Sequence, residues 1–273
     1  INLSGIPFAI GGIFDVSPSN RWIVSADEGI RTVPKVWKLR KDQTPEFVRD
    51  LPGHETAIYK GLLSIEFVDE YRVVTFAGDG ARLWDIRTPS KPPAVFGSFP
   101  DLSATAIAIS NDKEWVAIGG ADGRLCVWQL ADASEPRFET QTEKGKIWKL
   151  CFGPQDQLLA SSSLEHDFYN APNGTIHLWK VGKWSEKPER TLDIQGKRAD
   201  DLAFCPDGSQ LIASGDTFAW NLTVKESDKL VPLNDPKSTG FDAYQSQVAV
   251  NYDGSLIAAA YSANVKLWQK TKE

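Results

Sequence analysis

The chain has 273 residues, 41% of them hydrophobic and 24% charged, enough to bury a substantial core; one larger closed architecture and two small domains both fit this length. A formal net charge of −6 and a pI near 5.2 argue against nucleic acid as the main partner, because binding polyphosphate takes a broad basic field. No basic segment leads into an apolar one, and no apolar run is long enough to span a bilayer, so neither secretion nor membrane insertion is expected.

Along the chain, short runs end in a small or apolar residue followed by tryptophan: Val-Trp at Trp37, Leu-Trp at Trp84, Val-Trp at Trp128, Leu-Trp at Trp179, Ala-Trp at Trp220 and Leu-Trp at Trp268. The intervals are 47, 44, 51, 41 and 48 residues. Pro45, Pro92 and Pro136 each fall eight residues after their Trp, and Pro188 falls nine after Trp179. A period of this length marks a repeat architecture, with unit boundaries expected near 6–51, 52–98, 99–142, 143–193, 194–233 and 234–273.

Within a unit the pattern is strand, turn, strand, turn, strand. In the third, Ala106–Ile109 precedes a polar turn at 111–113, Trp115–Ile118 follows, and Ala121-Asp122-Gly123 turns into Leu125–Leu130. In the fifth, Leu202–Phe204 leads through Pro206-Asp207-Gly208 to Gln210–Ala213 and then through Gly215-Asp216 to Trp220. Asp79-Gly80, Asp122-Gly123 and Asn173-Gly174 are read as tight hairpin turns, where positive φ is needed. Leu125 and Val127 alternate with Cys126, Trp128 and Leu130, so both faces of that strand are apolar and both are expected to be covered. A stack of repeated sheets explains this. A β-sandwich of equal length gives no reason for one Trp at a fixed place in every unit.

The motifs resemble those of the WD-repeat β-propellers. Gly53-His54 opens the second unit and Leu83-Trp84-Asp85 closes it, while Ser17-Pro18, Cys205–Gly208 and Tyr252–Gly254 resemble that family's first hairpin turn. The repeats are degenerate, since after the other five tryptophans Lys, Gln, Lys, Asn and Gln replace the aspartate. The resemblance covers nearly the whole chain and implies an all-β propeller of six four-stranded antiparallel blades, or seven if a blade lies outside this sequence. It implies that Ile1–Gly5 closes the last blade. It also implies one buried hydrogen-bonded set, His54, Thr75, Asp79 and Trp84, with the spacing from Asp79 to Trp84 one residue shorter than the family's.

Fully burying an indole removes about 200 Å² from water, worth up to about 5 kcal/mol. Trp37, Trp84, Trp128, Trp179, Trp220 and Trp268 are therefore expected to be structural, with His54 beside them and with Trp22, Trp115 and Trp148 in strands; Trp184 lies in a connecting loop and the sequence assigns it no role. The chemistry-bearing residues form no pattern. His54, His166 and His177 are the three histidines, and Cys126, Cys151 and Cys205 sit in apolar runs without a C-x-x-C pair. The cysteines read as reduced core thiols of an intracellular, cytoplasmic protein. Neither H-E-x-x-H, a nucleotide-cradling glycine loop nor G-x-S-x-G is present, so neither cofactor, metal nor catalysis is expected. Ser25–Gly29 is a single weak match to the Asp-box of sialidase propellers, and Asn-x-Ser/Thr triplets at Asn2, Asn173 and Asn221 are read as incidental.

The expected function is a non-catalytic protein-interaction scaffold or sensor, a module of a larger chain that begins before Ile1, binding a protein or an acidic or phosphorylated peptide. An enzyme with a channel-lined site and a nucleic-acid binder using a basic rim are the alternatives. By the resemblance, three segments share one face. The connection Leu164–Asn173 carries His166, Phe168 and Tyr169; Asp27–Pro34 is an insertion in the first unit; Lys144, Lys146 and Lys149 introduce the fourth unit as Lys197 and Arg198 introduce the fifth. Asp200 and Asp201 follow directly, placed to neutralise that charge.

Overall fold

The computed structural model describes residues 12–26, 33–41, 43–54, 62–97, 99, 103–141, 145–165, 173–194, 199–215, 218–221, 231–232, 247–261 and 264–269. Among these residues every regular element is a strand. The first sheet is β1 (Ile13–Val16), β2 (Trp22–Ala26), β3 (Lys35–Lys38) and β4 (Glu46–Asp50); the second is β5 (Leu62–Phe67), β6 (Arg72–Ala77), β7 (Gly80–Asp85) and β8 (Ala94–Phe96). The third is β9 (Ala104–Ile109), β10 (Trp115–Gly120), β11 (Leu125–Gln129) and β12 (Phe138–Thr140); the fourth is β13 (Lys146–Phe152), β14 (Leu158–Glu165), β15 (Asn173–Lys180) and β16 (Arg190–Asp193). The fifth is β17 (Ala199–Phe204), β18 (Gln210–Gly215), β19 (Phe218–Asn221) and β20 (Val231–Pro232), and the last has three described strands, β21 (Gln247–Val250), β22 (Leu256–Tyr261) and β23 (Asn264–Gln269). Each is an antiparallel meander in chain order. The fold class is the one expected, all-β and of propeller type. The expected closing strand Ile1–Gly5 lies outside the described residues.

The repeated turn between first and second strands explains the sequence signals that marked it. In Ser17–Asn20, Ser110–Lys113, Gly153–Asp156, Cys205–Gly208 and Asn251–Gly254, the fourth N–H donates to the first carbonyl at 2.8–3.0 Å. The first residue's own N–H donates to Trp22, Trp115, Leu158, Gln210 and Leu256 respectively. The fourth residue has φ of 57° at Asn20, 62° at Lys113, 51° at Asp156 and 72° at Gly208 and Gly254, the left-handed region in which glycine alone is unstrained. The spaced prolines find their reason too. Pro45, Pro92, Pro136 and Pro188 each stand one or two residues before a fourth strand, where a missing N–H costs no ladder bond. One hairpin signal is corrected: Asn173 and Gly174 lie within β15, paired with Glu165 and Leu164, so the β14–β15 ladder runs through them instead of turning there.

The described residues divide into two compact units, one within Ile1–Ala104 and Ala131–Pro136, the other within Thr105–Leu130 and Arg137–Glu273. In the first, Val24, Val36, Leu51, Phe67, Val73 and Trp84 form a core between the first two sheets. In the second, successive sheets are sealed by separate clusters, one around Ile147 and Trp179, one around Ile176 and Leu211, one around Ile212 and Val248. Leu125, Cys126, Val127 and Trp128 are all buried, so the third strand is covered on both faces as its sequence required. Trp37, Trp84, Trp128 and Trp179 are buried and Trp268 is half-buried; Trp220 lies on β19. Trp184 joins this core: its ring stacks on Phe138 at 5.4 Å and meets Trp115 edge-on at 5.5 Å.

Gly119 on β10 allows the closest approach in the second unit. A Cβ there would stand 2.5 Å from Ile147 Cγ2 and 2.8 Å from Ile147 Cβ, and Ile147, fully buried, cannot retreat. Gly119→Ala is expected to destabilise the protein by about 1–3 kcal/mol through overpacking. A urea titration would show it as a lower midpoint with an unchanged slope.

Candidate functional site

Two groups of polar side chains are set into these sheets. The first belongs to the second sheet. Thr75 on β6 stands two residues beyond Val73, the register partner of Trp84, and on the same face. Trp84 Nε1 donates to Thr75 Oγ1 at 2.8 Å, and Thr75 Oγ1 lies 2.8 Å from His54 Nε2. His54 Nδ1 is 2.7 Å from Asp79 Oδ1, so the four residues implied by the resemblance are joined despite the shortened spacing. A fifth member appears that the sequence did not suggest: Arg82 Nη1 is 2.7 Å from Asp79 Oδ2 and 2.6 Å from His54 Nδ1. The His54, Asp79 and Arg82 side chains are only 2%, 10% and 12% exposed. With Asp79 ionised against Arg82, the proton between His54 and Asp79 belongs on Nδ1, which leaves Nε2 to accept from the Thr75 hydroxyl. Burial, first, then the Arg82 charge, lowers the His54 pKa from its ordinary value of 6.5, outweighing the contrary effect of Asp79.

The second group lies on the first strands of the second unit. Thr105 Oγ1 on β9 donates to Ile147 O at 2.7 Å. In β13 the ladder shifts register between Ile147 and Lys149, and Trp148 between them has no partner across the ladder. Ile147 and Leu150 are buried while Trp148 is half-buried, with Lys146 Nζ 3.8 Å from its ring centroid. Lys149 Nζ is 2.7 Å from Asp201 Oδ1, and Asp201 Oδ2 accepts from Val248 N at 3.0 Å. Asp201 thus ties three sheets: β13 through a lysine, its own β17, and β21 through a backbone amide. Lys146 and Lys149 both lie on β13. Both are already engaged, one by an indole and one by a carboxylate. Lys144, His166, Phe168, Tyr169, Lys197 and Arg198 lie outside the described residues, as does most of the Asp27–Pro34 insertion. Trp148 and Asp201 entered the sequence reading only as a strand residue and a neutralising charge; the bulge and the contact 52 residues away in sequence are what give them their place.

Among the described residues no group of three or more His, Cys, Asp or Glu could hold a metal ion, and no helix is long and apolar enough to cross a membrane. Burial, aided by the Glu139 charge, pushes the Cys126 thiol up to about 12, which leaves it protonated and unreactive.

Three substitutions grade these contacts. Thr75→Val keeps the shape but leaves Trp84 Nε1 and His54 Nε2 buried without a hydroxyl, and is expected to cost about 2 kcal/mol by chemical denaturation. Asp201→Ala, which strips a buried amide of its acceptor, should cost about 1–3 kcal/mol. Lys149→Gln takes the cation from a carboxylate only 13% exposed and should cost about 1–3 kcal/mol by the same measurement.

Comparison with known proteins places these sheets. The sequence profile of the family described as WD domain, G-beta repeat matches residues 96–129 and 135–180, each segment running through β9–β11 or β12–β15. The Protein LST8 homolog of Drosophila pseudoobscura pseudoobscura is 22% identical over 172 residues, 62% of this chain and 51% of that protein. The Actin-interacting protein 1 of Caenorhabditis elegans is 22% identical over 171 residues, 61% of this chain and 26% of that protein. The WD repeat-containing protein 55 homolog of Drosophila virilis is 29% identical over 129 residues, 46% of this chain and 23% of that protein. The chain therefore spans about half the length of the first of these relatives and about a quarter of the other two. The profile match makes residues 96–129 and 135–180 similar to WD repeats, and the same antiparallel sheet recurs along the other described residues.

Proposed function

We propose that this chain is a non-catalytic interaction platform, a scaffold or sensor module of a larger intracellular, cytoplasmic protein, whose partner is a protein or peptide bearing carboxylates or phosphate. The observation that carries this reading is the bulge in β13. It turns an indole and two lysines away from a core that is otherwise committed to packing, and so presents charge and aromatic surface on a rigid strand. The similarity to a protein named for interacting with actin and to WD repeat-containing relatives supports it.

The proposed contact surface comprises Lys144, Lys146, Lys149, Lys197 and Arg198, together with His166, Phe168 and Tyr169 of the long connection. An incoming carboxylate or phosphate reaches Lys149 from its 41%-exposed side and competes with Asp201 for it. Asp201 keeps its bond from Val248 N, so the sheets stay joined during the exchange. Phosphate gains most, since it offers two charges and three strong acceptors to clustered cations.

The reading is tested by affinity capture from source lysate with the intact chain and with a variant carrying Lys144→Glu, Lys146→Glu, Lys197→Glu and Arg198→Glu, both first shown to be folded. A partner held by the parent and lost by the variant is the expected result, and phosphatase treatment of the lysate then separates phosphate from carboxylate recognition. Equal retention moves the surface to residues 164–173. Substrate turnover by the purified chain, abolished by the same substitutions, would overturn the platform reading.

A further inference from the structure

We propose that Arg82 converts the buried group of the second sheet into a proton-sensitive clasp, which holds the Gly53-His54 connection onto that sheet at neutral pH and releases it on acidification.

The clasp follows from counting charges in a closed space. At neutral pH the group contains one carboxylate, Asp79, one guanidinium, Arg82, and a neutral imidazole, so its charges cancel. Among the described residues, the charged groups that face His54 are Asp79, from the turn between β6 and β7, and Arg82, from β7 itself. Thr75 of β6 supplies a hydroxyl, and Trp84 of β7 acts through it. Adding a proton to His54 leaves two cations sharing one carboxylate, with ring and guanidinium nitrogens 2.6 Å apart and side chains almost fully removed from water. Neither charge can be hydrated in place, so the imidazolium is favoured only where it can reach solvent.

What moves is set by the backbone. His54 sits in the connection from β4 to β5, not in a ladder, while Thr75 and Arg82 face each other in register within the sheet. Gly53 has φ of +136° and passes close over Arg82, a Cβ there standing 3.6 Å from Arg82 Nε and 3.9 Å from a Trp84 ring carbon. The connection is thus laid across the guanidinium, and its other described anchor is Leu51, fully buried in the core of the first unit. Breaking the His54 contacts frees Gly53-His54 without unzipping a strand. The linkage has a definite sign. The folded protein holds His54 below its unfolded value near 6.5, so the unfolded state binds the proton more readily; the contribution to stability is whole above about 6.5 and declines as pH falls below it.

Proton NMR of the histidine ring signals in the intact chain tests the clasp, with His54 assigned by the signal lost in His54→Gln. His54 is expected to titrate below its ordinary value, to move upward in Arg82→Gln, and to stay low in Arg82→Lys, which retains the charge. In parallel, the urea midpoint of the parent is expected to fall more steeply than that of His54→Gln from about pH 7.5 to about pH 5.5. Titration of His54 unmoved by Arg82→Gln would overturn the proposal. So would equal pH slopes for the parent and His54→Gln, a comparison that stands even if Arg82→Gln does not fold.

Discussion

An indole at the end of a third strand makes two demands at once: its ring must be dry, and its N–H must still find an acceptor. In the first, second and fourth sheets the second strand answers with a hydroxyl. Trp37 Nε1 donates to Ser25, Trp84 Nε1 to Thr75 and Trp179 Nε1 to Ser161, at 2.9, 2.8 and 3.0 Å. The corresponding positions opposite Trp128, Trp220 and Trp268 are Ile118, Ala213 and Ala259, read from the same ladder register. Where the hydroxyl is buried it needs an outlet for its own proton. In the second sheet that outlet is His54, which calls for Asp79, which is neutralised by Arg82. A five-residue polar group is the consequence of burying one tryptophan with its hydrogen bonds intact.

The strands that open the sheets have a different task. Three of them tie their sheet to the next while leaving polar side chains available. Asp15 Oδ2 in β1 accepts from Phe67 N in β5, Thr105 in β9 donates to Ile147 O in β13, and Asp201 in β17 accepts from Val248 N in β21. These bonds join side chain to backbone, so they fix the spacing of neighbouring sheets without prescribing the side chains of the neighbour. Lys146, Trp148 and Lys149 are left to chemistry, within a frame already held by other atoms.

The repeat was legible because it rests on local needs. Tryptophan before a turn, proline before an outer strand, and Pro-Asp-Gly or Tyr-Asp-Gly in a hairpin each state a backbone or burial requirement over a few residues. Asn173-Gly174 misled for the same reason: the pair suits a tight turn wherever it occurs, and only the length of the β14–β15 ladder shows that the chain does not turn there. His54 with Thr75, Asp79 and Trp84 was legible through family resemblance. Arg82 was not, since an arginine in a third strand reads as a solvated residue until its partners are known. Lys149 and Asp201 were both in view as charges, but pairing them requires a bulge in each of β13 and β17, and a bulge leaves no mark in composition or period.

Five of the six described turns between first and second strands, all but that at 68–71, carry a further consequence. All have one hydrogen-bond pattern, although their second residues are Pro18, Asn111, Pro154, Pro206 and Tyr252 and their last are Asn, Lys, Asp and two glycines. The shape is imposed by main-chain atoms and by the strands that feed them, so the tip works as a cassette whose contents are nearly independent of its housing. Tyr252, 89% exposed, shows how far a tip can depart from proline and still be held. Such tips offer places for a label, a cross-linker or a short epitope that leave the tryptophan slots undisturbed, and they allow each sheet to be addressed separately in a molecule whose cores are nearly alike.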